Sequence, residues 1–501
     1  MKNYKLSDYI KLLEEHHLLD ETSCDNDSKV TYLTYNSKQV VPGTLFICKG
    51  QHFKTDYLLE AQERGASAYV SERFYKESSL PCLRTNNIRK AMPLLADLFN
   101  NAPWKDLTII GVGGTKGKST TTYYMKAVVD DYMKATGGKE SAVISSIDTY
   151  DGKTKFESHI TTPEAIELQE HFRNAVDSDI SFAEMEVSSQ ALKYDRVSNM
   201  RFNVGIFLNI SEDHISPVEH KDFEDYFSSK LKIFSLSEAA VVNRDMDYAD
   251  RTVEEAQQCS HLLTFSLKDE TADVFGYDVK KTEEGTSFKV RTKDFDEEFL
   301  LTMPGIFNVE NALAVIAASI LLGIPKDYIY SGLRRARSSG RMEVFASKDK
   351  RIVAIVDYAH NKLSYEKLFS STKIEYPGYD IKAVFGCPGK KAYLRRRDLG
   401  LVAGQYSSKI FLTEEDAGEE PVEQISKEIS RYVEQQNCPY EIINDRGTAI
   451  KTAIEQSNSN TVILVCGKGN ETRQKRGTEY IDCPSDVDYV KKYLTEYDAT
   501  H

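Results

Sequence analysis

Apolar runs of three to eight residues alternate with stretches of helical periodicity along most of this chain. The runs predict strands, and the stretches between them predict helices. In the first hundred residues the runs are Val30–Tyr35, Val41–Cys48 and Ala66–Val70, with a helix over Tyr57–Glu63. From Leu107 they become stronger: Leu107–Val112, Ser141–Ile144, Phe182–Val187, Val204–Asn209 and Ala239–Asn243. The pattern restarts with Ile352–Asp357, Ala383–Phe385, Lys409–Leu412 and Val462–Val465. Near-continuous apolar strands separated by helices predict mainly parallel α/β sheets covered on both faces. A length of 501 residues suits about three domains, divided here at 1–105, 106–340 and 341–501, with Pro103-Trp104 as the first linker. No short-period repeat or low-complexity tract interrupts the series.

Composition narrows the class. The chain is 41% hydrophobic and 28% charged, the balance of a soluble globular protein. No run has the length and apolarity of a membrane span, and the start of the chain has no apolar signal region. The expected location is the cytoplasm. A net charge of −13 argues against a nucleic-acid surface. Local basic clusters at Arg334–Arg337, Lys390-Lys391 and Arg395–Arg397 are candidate anion sites or solvated helix faces. The eight cysteines form no C-x-x-C pair, which favours buried free thiols over zinc or disulfides.

The strongest chemical signal is Gly111-Val-Gly-Gly-Thr-Lys-Gly-Lys118-Ser119 at the end of a predicted strand and the start of a predicted helix running to about Lys134. Closely spaced glycines let backbone N–H groups face an anion, and the helix adds the positive end of its dipole. Lys118 can neutralise β/γ-phosphates and Ser119 can reach Mg²⁺. The common form of this loop has glycine six residues before the lysine. Here Val112 stands there, and Gly111 lies one residue earlier. A plain glycine turn is the alternative.

Other strand ends carry polar groups, where ligands gather in open α/β sheets. Glu186 lies inside an apolar run, as a metal ligand or one half of a structural ion pair. Asp213-His214 follows another such run and offers a metal or substrate ligand.

Gly114-Thr-Lys-Gly-Lys-Ser-Thr120 resembles the Gly-Thr-x-Gly-Lys-[Ser/Thr]-Thr signature of the Mur ligases and their folylpolyglutamate-synthase relatives. The resemblance runs in the family's order from about Tyr35 to Glu471. It implies nucleotide binding by Gly114, Thr115, Lys116, Gly117, Lys118, Ser119 and Thr120. Glu186 and His214 match metal-binding positions. Lys230, in Tyr-Phe-Ser-Ser-Lys, matches a lysine carried as a carbamate; an unmodified surface lysine is the alternative. A carbamate would turn a repelling ammonium into an oxygen ligand. Gly305-Ile-Phe-Asn308-Val-Glu-Asn311 resembles the adenine-pocket segment, with helix capping as the other role. Ser339-Gly-Arg341 resembles the hinge before the last domain, and Asp357-Tyr-Ala-His360 a motif that reaches back to ATP. Thr161, Thr162, Ser188 and Arg196 match substrate positions. Ser37 lies in a segment resembling the uridine-binding domain, where Asn36 and Lys38 replace the usual aspartate and arginine.

The fold implied is a three-domain α/β architecture. It has an N-terminal UDP-binding domain, a central P-loop-type parallel sheet and a C-terminal Rossmann-like domain. The activity implied is ATP- and Mg²⁺-dependent addition of an amino acid to UDP-N-acetylmuramoyl-L-Ala-D-Glu, in peptidoglycan precursor synthesis. The expected form is a monomer with no nucleic-acid or membrane partner. Lys118, Glu186, His214 and Lys230 are the expected catalytic set. Ser119, Glu186, His214 and carbamylated Lys230 would hold the metal. The turn Thr413–Pro421 lacks the Asp-Asn-Pro-Arg of diaminopimelate-adding members. Its Glu415 and Asp416 therefore point to L-lysine, with Arg396 on the α-carboxylate and Glu471 on the α-amine; an acidic solvated loop is the alternative. A ligase for another amino acid or γ-glutamyl acceptor, or an ATP-hydrolysing switch, remain the rival readings.

Overall fold

The computed structural model describes residues 4–24, 27–50, 53–158, 160–213, 215–216, 219–457 and 459–500. Three main sheets divide it. The first has the spatial order Leu19–Thr22, Cys82–Thr85, Ala68–Ser71, Thr44–Ile47, Tyr32–Thr34. All its neighbours are parallel except the edge strand Leu19–Thr22. A helix, Ile88–Asn100, and a tight turn over Pro103–Asp106 lead out of it. Trp104 fixes that exit by donating its indole N–H to Asp97 at 2.8 Å.

The middle sheet has eleven strands. Its centre is Thr108–Gly113, flanked in parallel by Phe182–Glu186 and Phe202–Phe207. Parallel order continues outward through Ala142–Ile144 on one side and Ser237–Asn243, His261–Ser266 and Val274–Lys281 on the other. Each margin then turns antiparallel, through Asp148–Tyr150 and Lys155–Glu157, and through Thr286–Arg291 and Asp296–Leu301. The apolar runs marked the central parallel strands. The margins escape that reading because one face of each is wet, so their strands are short or alternate.

The helix Lys118–Thr136 packs against Asn308–Leu321 and Lys326–Arg335. At the last contact a Cβ on Gly332 would lie 2.5 Å from Val128 Cα, so only glycine admits this approach. The segment Val309–Ala318 is apolar on nearly every face apart from Glu310 and Asn311. It serves as a core element between two sheets, and one apolar cluster runs from Val128 through Val315 to Leu368 and Phe385.

The last sheet orders Glu343–Ala346, Ile352–Asp357, Thr461–Cys466, Asp380–Phe385, Lys409–Leu412 and Tyr440–Ile442, parallel except at the first pair. A two-stranded hairpin, Arg473–Arg476 with Glu479–Asp482, stands apart. All eight cysteines are free thiols. Among the described residues no helix is long and apolar enough to cross a membrane.

Candidate active site

The central strand Thr108–Gly113 ends at the phosphate loop. Val112, at the position where glycine is usual, is a wholly buried strand residue. The turn is made later, by Gly114 at φ +134° and Gly117 at φ +84°. A Cβ on Gly117 would sit 2.5 Å from the Asn311 amide oxygen, which keeps this position bare. The loop is pinned to the neighbouring strand end by Asn209. Its Oδ1 accepts from Lys116 N at 2.8 Å and its Nδ2 donates to Lys116 O at 3.0 Å. Thr115 Oγ1 accepts from Ser211 N at 3.1 Å.

Lys118 opens the helix and folds over its own loop, donating to the carbonyls of Gly114 and Thr115 at 3.1 Å each. Burial lowers its pKa, against the pull of Glu186 and Asp213. A phosphate reaching the loop would replace those carbonyl contacts with a charged partner. Lys230 approaches the same point from another helix, Phe223–Leu231, and its Nζ donates to Gly114 O at 2.8 Å. Only 3% exposed, it has a pKa held well below the ordinary lysine value by burial and by the Lys118 and Lys116 charges. It is not the surface lysine that the sequence left open.

Glu186 ends the strand beside the loop and is 1% exposed. Its Oε1 accepts from Ser146 N at 2.8 Å and Ser146 Oγ at 3.0 Å, and Ser146 Oγ lies 3.1 Å from Ser119 Oγ. Among the described residues Glu186 has no ion-pair partner, so the structural ion pair considered from sequence is not formed. Ser119, Ser146 and Glu186 form an oxygen-only donor set, suited to a hard cation. His214 lies outside the described residues.

The substrate-matched positions gather around the same strand end. Thr162 Oγ1 donates to Glu186 O at 2.9 Å and accepts from Ser188 N at 3.0 Å. Arg196 donates to Thr162 O at 3.1 Å and pairs with Glu164 at 2.8 Å. Glu164 also takes Lys49 of the first sheet's lobe at 2.7 Å. Ser37 makes none of these contacts and gives its hydroxyl to Glu60 at 2.6 Å.

The last lobe closes over the loop. Arg341 reaches Ser119 Oγ at 3.5 Å and lies 4.2 Å from the Tyr358 ring centre. Asp357 accepts from Met342 N and Ala359 N, which fixes the turn carrying His360. His360 Nδ1 lies 2.7 Å from Tyr358 O and its Nε2 lies 3.1 Å from Lys116 Nζ. The ring therefore donates from Nδ1 and accepts at Nε2. Burial and the charges of Lys116 and Arg395 hold its pKa well below the usual range. Asn311 Nδ2 donates to Asn308 Oδ1 at 3.0 Å beside Gly117.

A cleft of about 960 Å³ opens beside this junction, with Ser146, Thr161 and Arg341 at one side and Asp416, Lys468 and Glu471 at the other. Lys468 ties the acidic pair together, at 3.0 Å from Asp416 and 2.5 Å from Glu471. Glu415 lies behind, buried, with its pKa pushed up to about 7 by that burial. The acidic turn is therefore built inward, unlike a solvated loop. Arg396 is 1% exposed and spends its guanidinium on Glu420 and Glu428 at 2.7 and 2.6 Å. Its neighbour Arg395 faces the cleft junction instead, pairing with Asp213 at 3.1 Å. Ser146, Asn209 and Lys468 went unnoticed in the sequence. Ser146 follows a short strand, and the strand-end rule applied there would have marked it.

A phosphate loop at the carboxyl ends of a parallel sheet, covered by a second α/β lobe, defines a nucleotide-binding protein with a closing domain. Residues 112–319 match the Mur ligase middle domain, and residues 340–469 match the Mur ligase glutamate ligase domain. The chain is 36% identical to a UDP-N-acetylmuramyl-tripeptide synthetase of Ligilactobacillus salivarius, covering 97% of this chain and 98% of that protein. It is also 36% identical to a UDP-N-acetylmuramoyl-L-alanyl-D-glutamate–L-lysine ligase of Streptococcus pneumoniae, over 94% of each chain. A solved UDP-N-acetylmuramoyl-L-alanyl-D-glutamate–2,6-diaminopimelate ligase superimposes with a TM-score of 0.66 at 23% identity, covering 97% of this chain and 99% of its own. The chain belongs to the Mur ligase family.

Proposed function

We propose that this protein is an ATP-dependent ligase that adds L-lysine to UDP-N-acetylmuramoyl-L-Ala-D-Glu, building a peptidoglycan precursor. The observation that carries the reading is the convergence on the phosphate loop of a buried Lys230 and of Arg341 and His360 from the last lobe, beside an interlobe cleft that holds Asp416 and Glu471. Near-full-length likeness to ligases of this name supports it. Residues 1–105 would bind the uridine end, 106–340 the ATP, and 341–501 the amino acid.

A carboxylate is a poor electrophile, so activation comes first. A carboxylate oxygen of D-Glu attacks the γ-phosphorus, the β,γ P–O bond breaks, and ADP leaves. The lysine α-amine then attacks the acyl phosphate carbon. The tetrahedral adduct loses phosphate and a proton, leaving the amide. Lys118 and the loop N–H groups offset the charge on the transferring phosphoryl group. Thr162, Ser188 and Arg196 would hold the dipeptide beside it. Asp416 and Glu471 present negative charge to an incoming cationic amino acid. Arg396 is committed to Glu420 and Glu428, so its assignment to the α-carboxylate would require those pairs to open.

The oxygen donors Ser119 and Glu186 fit Mg²⁺, which would neutralise phosphate charge when bound. Lys230 fits that role only as a carbamate, and its buried, low-pKa amine is of the kind that adds CO₂. The function is tested by measuring ADP release and amide product from UDP-N-acetylmuramoyl-dipeptide with a panel of amino acids. Product with L-lysine supports the reading. ATP hydrolysis without amide removes it.

A further inference from the structure

Asp213 stands on the loop after the strand Phe202–Phe207, and three segments converge on it. Arg395 Nη2, from the first turn of the helix Tyr393–Tyr406, donates to its Oδ1 at 3.1 Å. Asn361 Nδ2 donates to its Oδ2 at 2.7 Å. Lys116 Nζ of the phosphate loop lies 3.6 Å from the same Oδ2. The Asp213 side chain is only 6% exposed. Two of these partners come from the last lobe and one from the nucleotide loop. Asp213 sets a negative charge between Arg395 and Lys116 in this poorly solvated junction, where Asp357 faces Arg341 and Lys116 and Glu186 faces Lys118.

Asn361 makes the contact directional. Its Oδ1 accepts from Ser364 N at 3.1 Å as the N-cap of the helix Lys362–Glu375. The amide is thereby oriented, and its N–H₂ is left facing Asp213.

We propose that Asp213 and its partners Arg395 and Asn361 are positioning residues. They dock the last lobe onto the phosphate loop and so bring the amine-carrying pocket up to the acyl phosphate. The inference rests on the ligase reading above and adds to it the contact that couples nucleotide loop to amino-acid lobe. A bound γ-phosphate would find the loop already joined to that lobe. The cost of orienting the second substrate is then met by the closure itself.

The decisive variant is Asn361→Asp. It keeps the helix cap, because aspartate caps as well as asparagine, but sets a second carboxylate against Asp213. Arg395→Ala and Arg395→Lys test the other arm. The full chain is examined three ways: small-angle scattering with β,γ-methylene-ATP, calorimetric affinity for that analogue, and steady-state ligation. Asn361→Asp and Arg395→Ala are expected to keep the analogue's affinity within about twofold. They should remain more extended than the parent and lose at least ~10-fold in kcat, with Arg395→Lys recovering part of it. Thermal melting checks that each variant is folded. Variants as compact and active as the parent overturn the proposal. So does a loss of analogue affinity matching the loss of kcat, which would make these groups phosphate contacts. A parent chain whose compaction depends on Arg395 and Asn361 but which forms no amide would sink the ligase reading and leave the docking role standing.

Discussion

Lys230 Nζ donates to the Gly114 carbonyl at 2.8 Å, across 116 residues of sequence. The contact places a buried amine directly behind the phosphate loop, beside Lys118. Two ammonium groups there would repel, and both have lowered pKa values. A carbamate on Lys230 would reverse the sign of one of them. Lys230→Ala is therefore expected to be a poor catalyst, partly rescued by added acetate or formate. Activity equal to that of the parent, measured by ADP release, would remove Lys230 from the mechanism.

Lys118→Ala should abolish ligation while leaving the fold intact. In the proposed mechanism its ammonium is the loop's own charge partner for the transferring phosphoryl group, and losing such a partner costs at least ~100-fold in rate. Turnover at saturating ATP, together with a far-ultraviolet spectrum and melting curve, makes the check. Near-normal turnover contradicts the phosphate-loop assignment.

The amino acid added should be L-lysine in preference to meso-diaminopimelate. Asp416 and Glu471, which keep one net negative charge after sharing Lys468, favour a cationic end over a second carboxylate. A direct competition among L-lysine, L-ornithine and meso-diaminopimelate, read by mass of the product, decides the matter. Preferential incorporation of diaminopimelate would defeat the charge argument.

Glu184 offers a stability test away from the chemistry. It lies in the strand Phe182–Glu186, fully buried, with Lys126, Asp130 and Ser141 as its polar neighbours. Burial pushes its pKa up to about 8, Lys126 working against that shift and Asp130 with it. The folded chain thus holds a proton that the unfolded chain releases near pH 4.5. Stability from this group is full below that pH and is lost as pH rises through about 8. Glu184→Gln should therefore melt above the parent by a margin that grows from pH 5 to pH 8.5, on the order of a few kcal/mol at the top. A margin that does not change with pH would show that Glu184 is already ionised in the folded chain.

Local pattern determined much of this molecule. Continuous apolar runs such as Ile352–Asp357 and Lys409–Leu412 coincide with their strands because burial on both faces leaves room for little else. The glycines of 111–117 and the lysine and serine after them made the phosphate loop legible, since tight turning and anion contact need those residues at that spacing. The apolar run carried the strand through Val112, but nothing local revealed that the turn falls to Gly114 and Gly117. The antiparallel margins at 148–157 and 286–301 were equally hidden, their half-wet strands lacking a strong periodic signal.

The site itself was legible as parts and not as an arrangement. Glu186 stood out because a carboxylate inside an apolar run demands a reason. Its pairing with Ser146, 40 residues away, depends on which strands lie side by side. Arg395, Arg396 and Arg397 are indistinguishable as sequence. Helical rotation turns Arg396 inward to Glu420 and Glu428, and Arg395 across the cleft to Asp213. Residue types fixed which chemistry was available, because charge and hydrogen-bonding capacity travel with the side chain. Only the tertiary structure decided which groups meet, because packing two lobes together sets distances and desolvation that no segment carries alone.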